Sequence, residues 1–183
     1  MSVRYVSIMI MAAMLAMIAI MVASMAQTRT AEAADRVAVK GCTGTNVTLK
    51  TTEKRMLDLH NKERTDRGIA RLCVHPALQK AALAHSTDMI NRDFFSHTNP
   101  SGKTFAASIK AAGYNYRTAG ENIAWGTGTS GSADSIHKSW MGSSGHRANI
   151  LNESFREVGI GAASGTYKNS SNAVMWTADF GSR

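Results

Sequence analysis

From Val6 to Ala26 the chain runs 21 residues without a charge, and this stretch constrains everything after it. It is rich in Met, Ala and Ile, only Ser7 and Ser24 are polar, and Arg4 precedes it. Seven of the eleven methionines fall in the first 25 positions, so the chain divides by composition before any motif is read. A basic residue ahead of an apolar run reads as a secretory leader. Small residues suit cleavage after Ala26 or, preferred here, after Ala33. An uncleaved anchor is the alternative, since about 20 apolar residues span a bilayer. Either route delivers the rest of the chain outside the cytoplasm. The expected organisation is a signal peptide at 1–33, an N-terminal arm at 34–50 and one domain at 51–183.

The remaining 150 residues carry 19 Lys and Arg against 12 Asp and Glu, a net charge of +7. That length suits a single compact domain. The basic residues are scattered, with no run longer than two, so no nucleic-acid stripe is visible. No Walker loop, Rossmann fingerprint or helical repeat is present. Cys42 and Cys73 are the only cysteines, too few for a structural zinc site of their own. Outside the cytoplasm they either form one bridge, between the arm and the loop after the first helix, or stay as free thiols.

The spacing of apolar residues predicts helices first and strands last. Thr51 or Thr52 caps a helix that runs to about Arg67, with Gly68 as its stop. Pro76 opens a second helix that reaches about Arg92, and Thr104–Ala112 is a third. Residues 126–131 read as a flexible Gly/Thr/Ser linker, after which Ser132 or Asp134 begins a helix through Trp140. Val158, Ile160 and Ala162 alternate with small residues, as do Val174, Trp176, Ala178 and Phe180 with others. Both runs read as strands with one buried face, joined by a long polar loop at 164–172. Helices followed by an antiparallel pair indicate an α+β fold.

Among six histidines, none forms a His-x-x-x-His or His-Glu-x-x-His pair. His60 and His85 lie on apolar helix stripes and read as hydrogen-bonded core residues. His75 ends a loop or caps a helix. His97 and His146 lie in small, polar, loop-like stretches, where sites tend to be built. Glu121 is the lone acid in an uncharged stretch, and a buried carboxylate needs a partner. Together these three residues make either an open divalent-metal site or a structural hydrogen-bonded cluster. Ser96 and Ser144 lie near His97 and His146, but no Gly-x-Ser-x-Gly elbow supports a nucleophile.

The segments combine into a family resemblance. Leu59-His60-Asn61-Lys62-Glu63-Arg64 is similar to the opening motif of the CAP superfamily (cysteine-rich secretory protein, antigen 5, pathogenesis-related 1), whose domain is also called the SCP domain. Phe95-Ser96-His97 with Asn99-Pro100-x-Gly102 resembles its first histidine segment, and Gly120-Glu121-Asn122-Ile123-Ala124 its Gly-Glu-Asn-Ile segment. Trp140-Met141 with Ser144-Gly145-His146-Arg147-x-Asn149-Ile150-Leu151 resembles the bacterial form of the second histidine segment. Trp176-Thr177-x-Asp179-Phe180-Gly181 resembles the final strand. The five segments keep their order from about residue 53 to 181.

The resemblance implies a three-layer α-β-α sandwich with a central antiparallel sheet, and further strand near 120–125 and 114–117. It places two histidines and two acids around a cleft, where some members hold a divalent metal. His97, Glu121 and His146 fill three of the four places and become candidate ligands for zinc, Glu121 also a candidate catalytic residue. Ser143 stands where eukaryotic-type members carry the second acid. His60, Asn61, Arg64, Asn122, Trp140, Arg147 and Asn149 are then structural motif residues. The expected function is a secreted or envelope-associated binding module for a metal, small anion or lipid. Two further readings are a metal-dependent hydrolase of an envelope polymer or peptide, and a purely structural surface protein. The expected partners are a lipid or cell-envelope component and, for the leader, the membrane. Nucleic acid is not expected, and the protein is read as a monomer.

Overall fold

A computed structural model describes residues 17–25, 27 and 35–183. Residues 17–25 and 27 are helical, and no helix among the described residues is long and apolar enough to cross a membrane. The cleavage positions expected after Ala26 and Ala33 lie outside the described residues. The chain divides into two compact units, residues 1–36 and 37–183, and the core clusters and the disulfide lie within the second.

The segment read as an extended arm is a two-stranded hairpin of β1 (Arg36–Lys40) and β2 (Asn46–Lys50). Its turn is tied down by the Cys42–Cys73 disulfide, which settles the choice between a bridge and free thiols. Closing a loop with a sequence separation of 31 contributes about 3–4 kcal/mol in the chain-entropy view.

Helix α1 (Thr51–Thr65) begins at the first expected cap, so its N-cap falls one residue before Thr51 and two before Thr52. Lys50 is the N-cap, and the Glu53 carboxylate reaches back to its backbone N–H at 2.9 Å. Gly68 ends the segment with φ +70°, a conformation that costs glycine nothing. Strand β3 (Cys73–Val74) follows, then α2 (Pro76–Asn91), with Pro76 in its first turn and the His75 ring accepting from the Ala77 N–H at 3.2 Å. Helix α3 (Phe105–Ala111) is capped by the Thr104 hydroxyl.

Strand β4 (Thr118–Thr127) is longer than the resemblance implies, and residues 114–117 are not strand. The expected flexible linker is a 3₁₀ turn, Gly128–Gly131, packed so closely that a Cβ on Gly126 would sit 2.5 Å from the Ser130 carbonyl oxygen. Helices α4 (Ala133–Gly142) and α5 (Ser144–Leu151) follow. His146 is therefore on a helix rather than a loop. The long polar loop at 164–172 is also absent. Strands β5 (Glu157–Tyr167) and β6 (Ser170–Ser182) run almost to each other, turning at Lys168 and Asn169 with φ +43° and +65°. Two consecutive positive-φ residues match the twist of a tight hairpin.

The main sheet has the order β3-β5-β6-β4, parallel only between β3 and β5. Helices cover both faces, giving the expected three-layer sandwich. Val158, Ile160, Ala162, Trp176, Ala178 and Phe180 share a core with Met56 and Leu57 of α1 and Ile136 and Trp140 of α4. Helix α2 lies on the other face. The glycines that alternate along β5 let its backbone approach: a Cβ on Gly159 would meet Leu78 at 2.0 Å and one on Gly161 would meet Ala82 at 2.4 Å.

The edges of this sheet are covered by side chains. Past Val74, where β3 stops, the Gln79 amide both accepts from the Ile160 N–H (2.9 Å) and donates to its carbonyl (2.6 Å). Glu53 accepts from the Ala162 N–H at 3.0 Å, and the Lys50 ammonium donates to the Ala162 carbonyl at 2.7 Å. At the opposite edge, Asn149 donates to the Glu121 carbonyl and Trp140 Nε1 to the Ile123 carbonyl, each at 3.3 Å.

Candidate functional site

The site grows from a strand register. Glu121 in β4 stands directly opposite Asp179 in β6, so both side chains leave the same face of the sheet. Both are buried, at 7% and 2% exposure. Two facing carboxyls in a dry environment cannot both ionise. Burial pushes Glu121 up to about 8, and burial together with the charge of Glu121 raises Asp179 well above the usual carboxylate range. Glu121 Oε2 and Asp179 Oδ1 have no donor among the described residues. A proton held between the two acids supplies it. Asp179 is the site residue that sequence reading placed only in the closing strand. The alternation of Ala178 and Phe180 into the core was the signal that position 179 faces the other way.

His97 sits over this pair. Its loop is shaped by Asn99, whose Oδ1 accepts from the backbone N–H of Ser101 and Lys103 at 3.0 Å each. The His97 ring is about half exposed, and its Nδ1 lies 2.6 Å from Glu121 Oε1. Burial lowers the affinity of His97 for a proton. With Glu121 shifted up and His97 down, the contact at neutral pH is a hydrogen bond between neutral groups, donated by whichever holds the hydrogen. His85, read from sequence as a core histidine, belongs here too. Its Nε2 is 3.0 Å from the Ser96 carbonyl and 3.8 Å from Glu121 Oε2.

His146 approaches from the β4 edge. The Asn122 amide donates to its carbonyl at 3.0 Å, and Asn149 donates to Asn122 Oδ1 at 2.8 Å. Burial and the neighbouring charge of His97 both lower its proton affinity. Arg147 is exposed and donates to the Met141 carbonyl. The remaining motif residues of α1 lie elsewhere: His60, Asn61 and Arg64 are buried there.

Among the described residues, His97, Glu121 and His146 do not lie within ligand distance of one another as a set of three. Among the described residues, the group of three His, Cys, Asp or Glu donors lying within 4.8 Å of one another is Cys42, Cys73 and Glu157. Its two sulfurs are bonded to each other, so neither is a thiolate. His97 and Glu121 touch, but His146, carried by a helix at the sheet edge, does not complete a set of three. Ser143 supplies no acid at the fourth place.

Beside the site, α2 and α3 enclose a cavity of about 350 Å³. Its wall includes Ala81, Ala84, Ala111 and Ala112, with Lys80 and Lys103 among its polar residues. His85 lines this cavity and also reaches Glu121, so the two spaces adjoin.

Residues 57–180 match the cysteine-rich secretory protein family, CAP. The chain is 36% identical over 157 residues to the uncharacterized protein YkwD of Bacillus subtilis (strain 168), covering 85% of this chain and 57% of that protein. It is 32% identical over 111 residues to the membrane protein YlbC of the same organism, covering 61% of this chain and 31% of YlbC. An extracellular protein with an SCP domain from Bacillus anthracis superposes with a TM-score of 0.63 at 27% identity, over 73% of this chain and 41% of that one. An outer surface protein of Borrelia burgdorferi shares the fold at a TM-score of 0.62 and 19% identity, over 73% of this chain and 94% of that one.

Proposed function

Because the chain belongs to the cysteine-rich secretory protein (CAP) family, we propose that it is an exported binding module whose cleft takes a small anionic ligand. The observation that carries this is the exposed His97 ring held 2.6 Å from buried Glu121, with His85 leading from that pair into the cavity flanked by Lys80 and Lys103. Burial raises the proton affinity of both acids, so the pair carries at most one negative charge near neutral pH. The two lysines attract an anion, and neither is in an ion pair among the described residues. The uncharged run from Val6 to Ala26, the disulfide and the extracellular relative support export. A cavity of this size is at the small end of the roughly 300–1,000 Å³ usual for ligand pockets.

The test is a titration of the full chain with citrate, followed by the NMR signals of the His85 and His97 rings. Zinc calorimetry runs beside it, with a His97→Ala/His146→Ala double variant as control. Saturable movement of both rings with citrate, without tight zinc binding, is the expected result. Tight 1:1 zinc binding that the double variant loses would replace this reading with a metal site.

One observation favours a second reading. A carboxyl raised to about 8 is protonated at neutral pH and suits a general acid. In a hydrolase of envelope polymers or peptides, Glu121 would donate to the leaving group. Glu121→Gln would then lower turnover by about 10²–10⁴-fold, and unchanged turnover would remove Glu121 from the chemistry.

A further inference from the structure

His60 and His137 form a buried pair, at 0% and 6% exposure, that takes no part in the cleft chemistry above. Their Nδ1 atoms lie 3.0 Å apart, so one donates and the other accepts. The neutral pair therefore keeps one bare Nε2, and neither Nε2 has a hydrogen-bond partner among the described residues. The two Nε2 atoms are not equivalent. The His60 ring is walled in by Phe180 of β6 and Trp140 of α4, with ring centres 5.8 and 5.7 Å away. His137 Nε2 lies 4.0 Å from Oε1 of Glu63, a half-buried side chain on α1. The other oxygen of Glu63, Oε2, holds Arg67 at 2.5 Å.

The charges around the pair favour a proton on His137. Burial lowers the proton affinity of both rings. At His60 the charges of His137 and Arg64 lower it further. At His137 the charges of Glu63 and Asp134 work against burial, and that of Arg55, which pairs with Asp134, works with it. The first proton taken up by the pair therefore belongs on His137 Nε2. At 4.0 Å that nitrogen and the Glu63 carboxylate are too far apart for a hydrogen bond. Closing the gap draws the His137 ring toward Glu63 and off His60.

Helix α4, which carries His137, is joined to the cleft without slack. Ser143 caps both the end of α4 and the start of α5, so no spare residue separates the two helices. Trp140, three residues on from His137, lies between the pair and the cleft. Its ring centre is 5.7 Å from His60 and 6.4 Å from His146, and its Nε1 donates to the Ile123 carbonyl of β4. Helix α5 brings His146 itself and Asn149, which donates to the Glu121 carbonyl.

We propose that the His60–His137 pair is an acid-operated latch on the cleft: proton uptake moves His137 onto Glu63, and α4 then shifts Trp140 and His146 at the β4 edge. The latch governs access to the cleft and does not depend on which ligand the cleft holds.

The test follows the full chain by NMR from about pH 8 to about pH 4, through the Trp140 indole N–H and the His137 and His146 rings. The Trp140 signal is expected to follow the His137 titration, with one midpoint below the ordinary histidine value of 6.5. Its N–H should exchange faster with solvent as the bond to Ile123 opens. Glu63→Gln should move the midpoint to lower pH, because the carboxylate that receives the ring is gone. His137→Phe should remove the Trp140 response while the His97 and His146 rings still titrate. A Trp140 response unchanged in His137→Phe would mean that the indole reports His146 directly, and would overturn the proposal. A midpoint that Glu63→Gln leaves in place would overturn it too, as would the loss of all native signals together, which is global unfolding.

Discussion

Two buried polar clusters lie in this domain, and they differ in how completely they are hydrogen-bonded. Around Arg64, the guanidinium donates to the carbonyls of Ala70, Ile150, Asn152 and Phe155 at 2.8–2.9 Å, and nearby Asn61 exchanges two hydrogen bonds with Leu72. Around Glu121, two carboxyl oxygens have no donor among the described residues beyond the proton the acid pair holds, and the His97 imidazole is half exposed. Both clusters lie in motifs that resemble the family. The first uses its polar groups to tie α1 to the segments at 70–72 and 150–155. The second depends on a proton held between two buried acids and on a half-exposed ring, the features that single it out as the candidate site.

The largest expected effect comes from breaking the satisfied cluster. Arg64→Met strands four carbonyls and should cost about 3–5 kcal/mol, read from the shift in urea midpoint. Arg64→Lys should recover only part of this, because an ammonium cannot reproduce the planar fork. A loss within error of zero would erase the contrast between the clusters.

The next effect tests the shared proton. Glu121 has an ordinary value of 4.5 and a folded value of about 8, so between these the folded state binds more protons than the unfolded state. Stability should therefore be fully present below about pH 4.5 and fall, by on the order of a few kcal/mol, as pH rises to about 8. Glu121→Gln should flatten that slope. Parallel profiles for the two proteins would show that no proton is shared.

The smallest effect concerns a half-satisfied pair. His60 and His137 meet through their Nδ1 atoms at 3.0 Å, while neither Nε2 atom has a hydrogen-bond partner among the described residues, though His137 Nε2 lies 4.0 Å from Glu63 Oε1. Burial lowers both proton affinities, so this pair loses stability as pH falls through about 6.5, opposite in sign to the acids. His137→Phe should cost about 1 kcal/mol at alkaline pH. Thermal melts should show that deficit shrinking in acid, where the native protein must keep two imidazoles neutral.

The helices were legible because their signals are local: Pro76 and Gly68 stand where a chain starts and stops a helix. The alternation in β5 and β6 was equally plain, although only the packing of α2 on Gly159 and Gly161 explains why the intervening residues are so small. Polar composition misled twice, at 126–131 and at 164–172. Gly and Ser there serve close packing in one case and continue strands in the other. Three site residues came from the family motifs. Asp179 was legible only as part of the closing strand and His85 only as a core histidine, because their roles depend on a cross-strand partner and a neighbouring loop, and neither is encoded nearby in sequence.

The side chains that cover the sheet edges have a consequence for behaviour in concentrated solution. A bare strand edge invites a strand from a second molecule. Here Gln79, Glu53 and Lys50 occupy the exposed groups of β5 at Ile160 and Ala162. These residues belong to α2, to α1 and to the residue just before α1, so the edge stays closed only while both helices remain docked. The aggregation-prone species is then a partly open form with a helix lifted away, and the rate of aggregation should follow how often that helix detaches rather than how much folded protein is present.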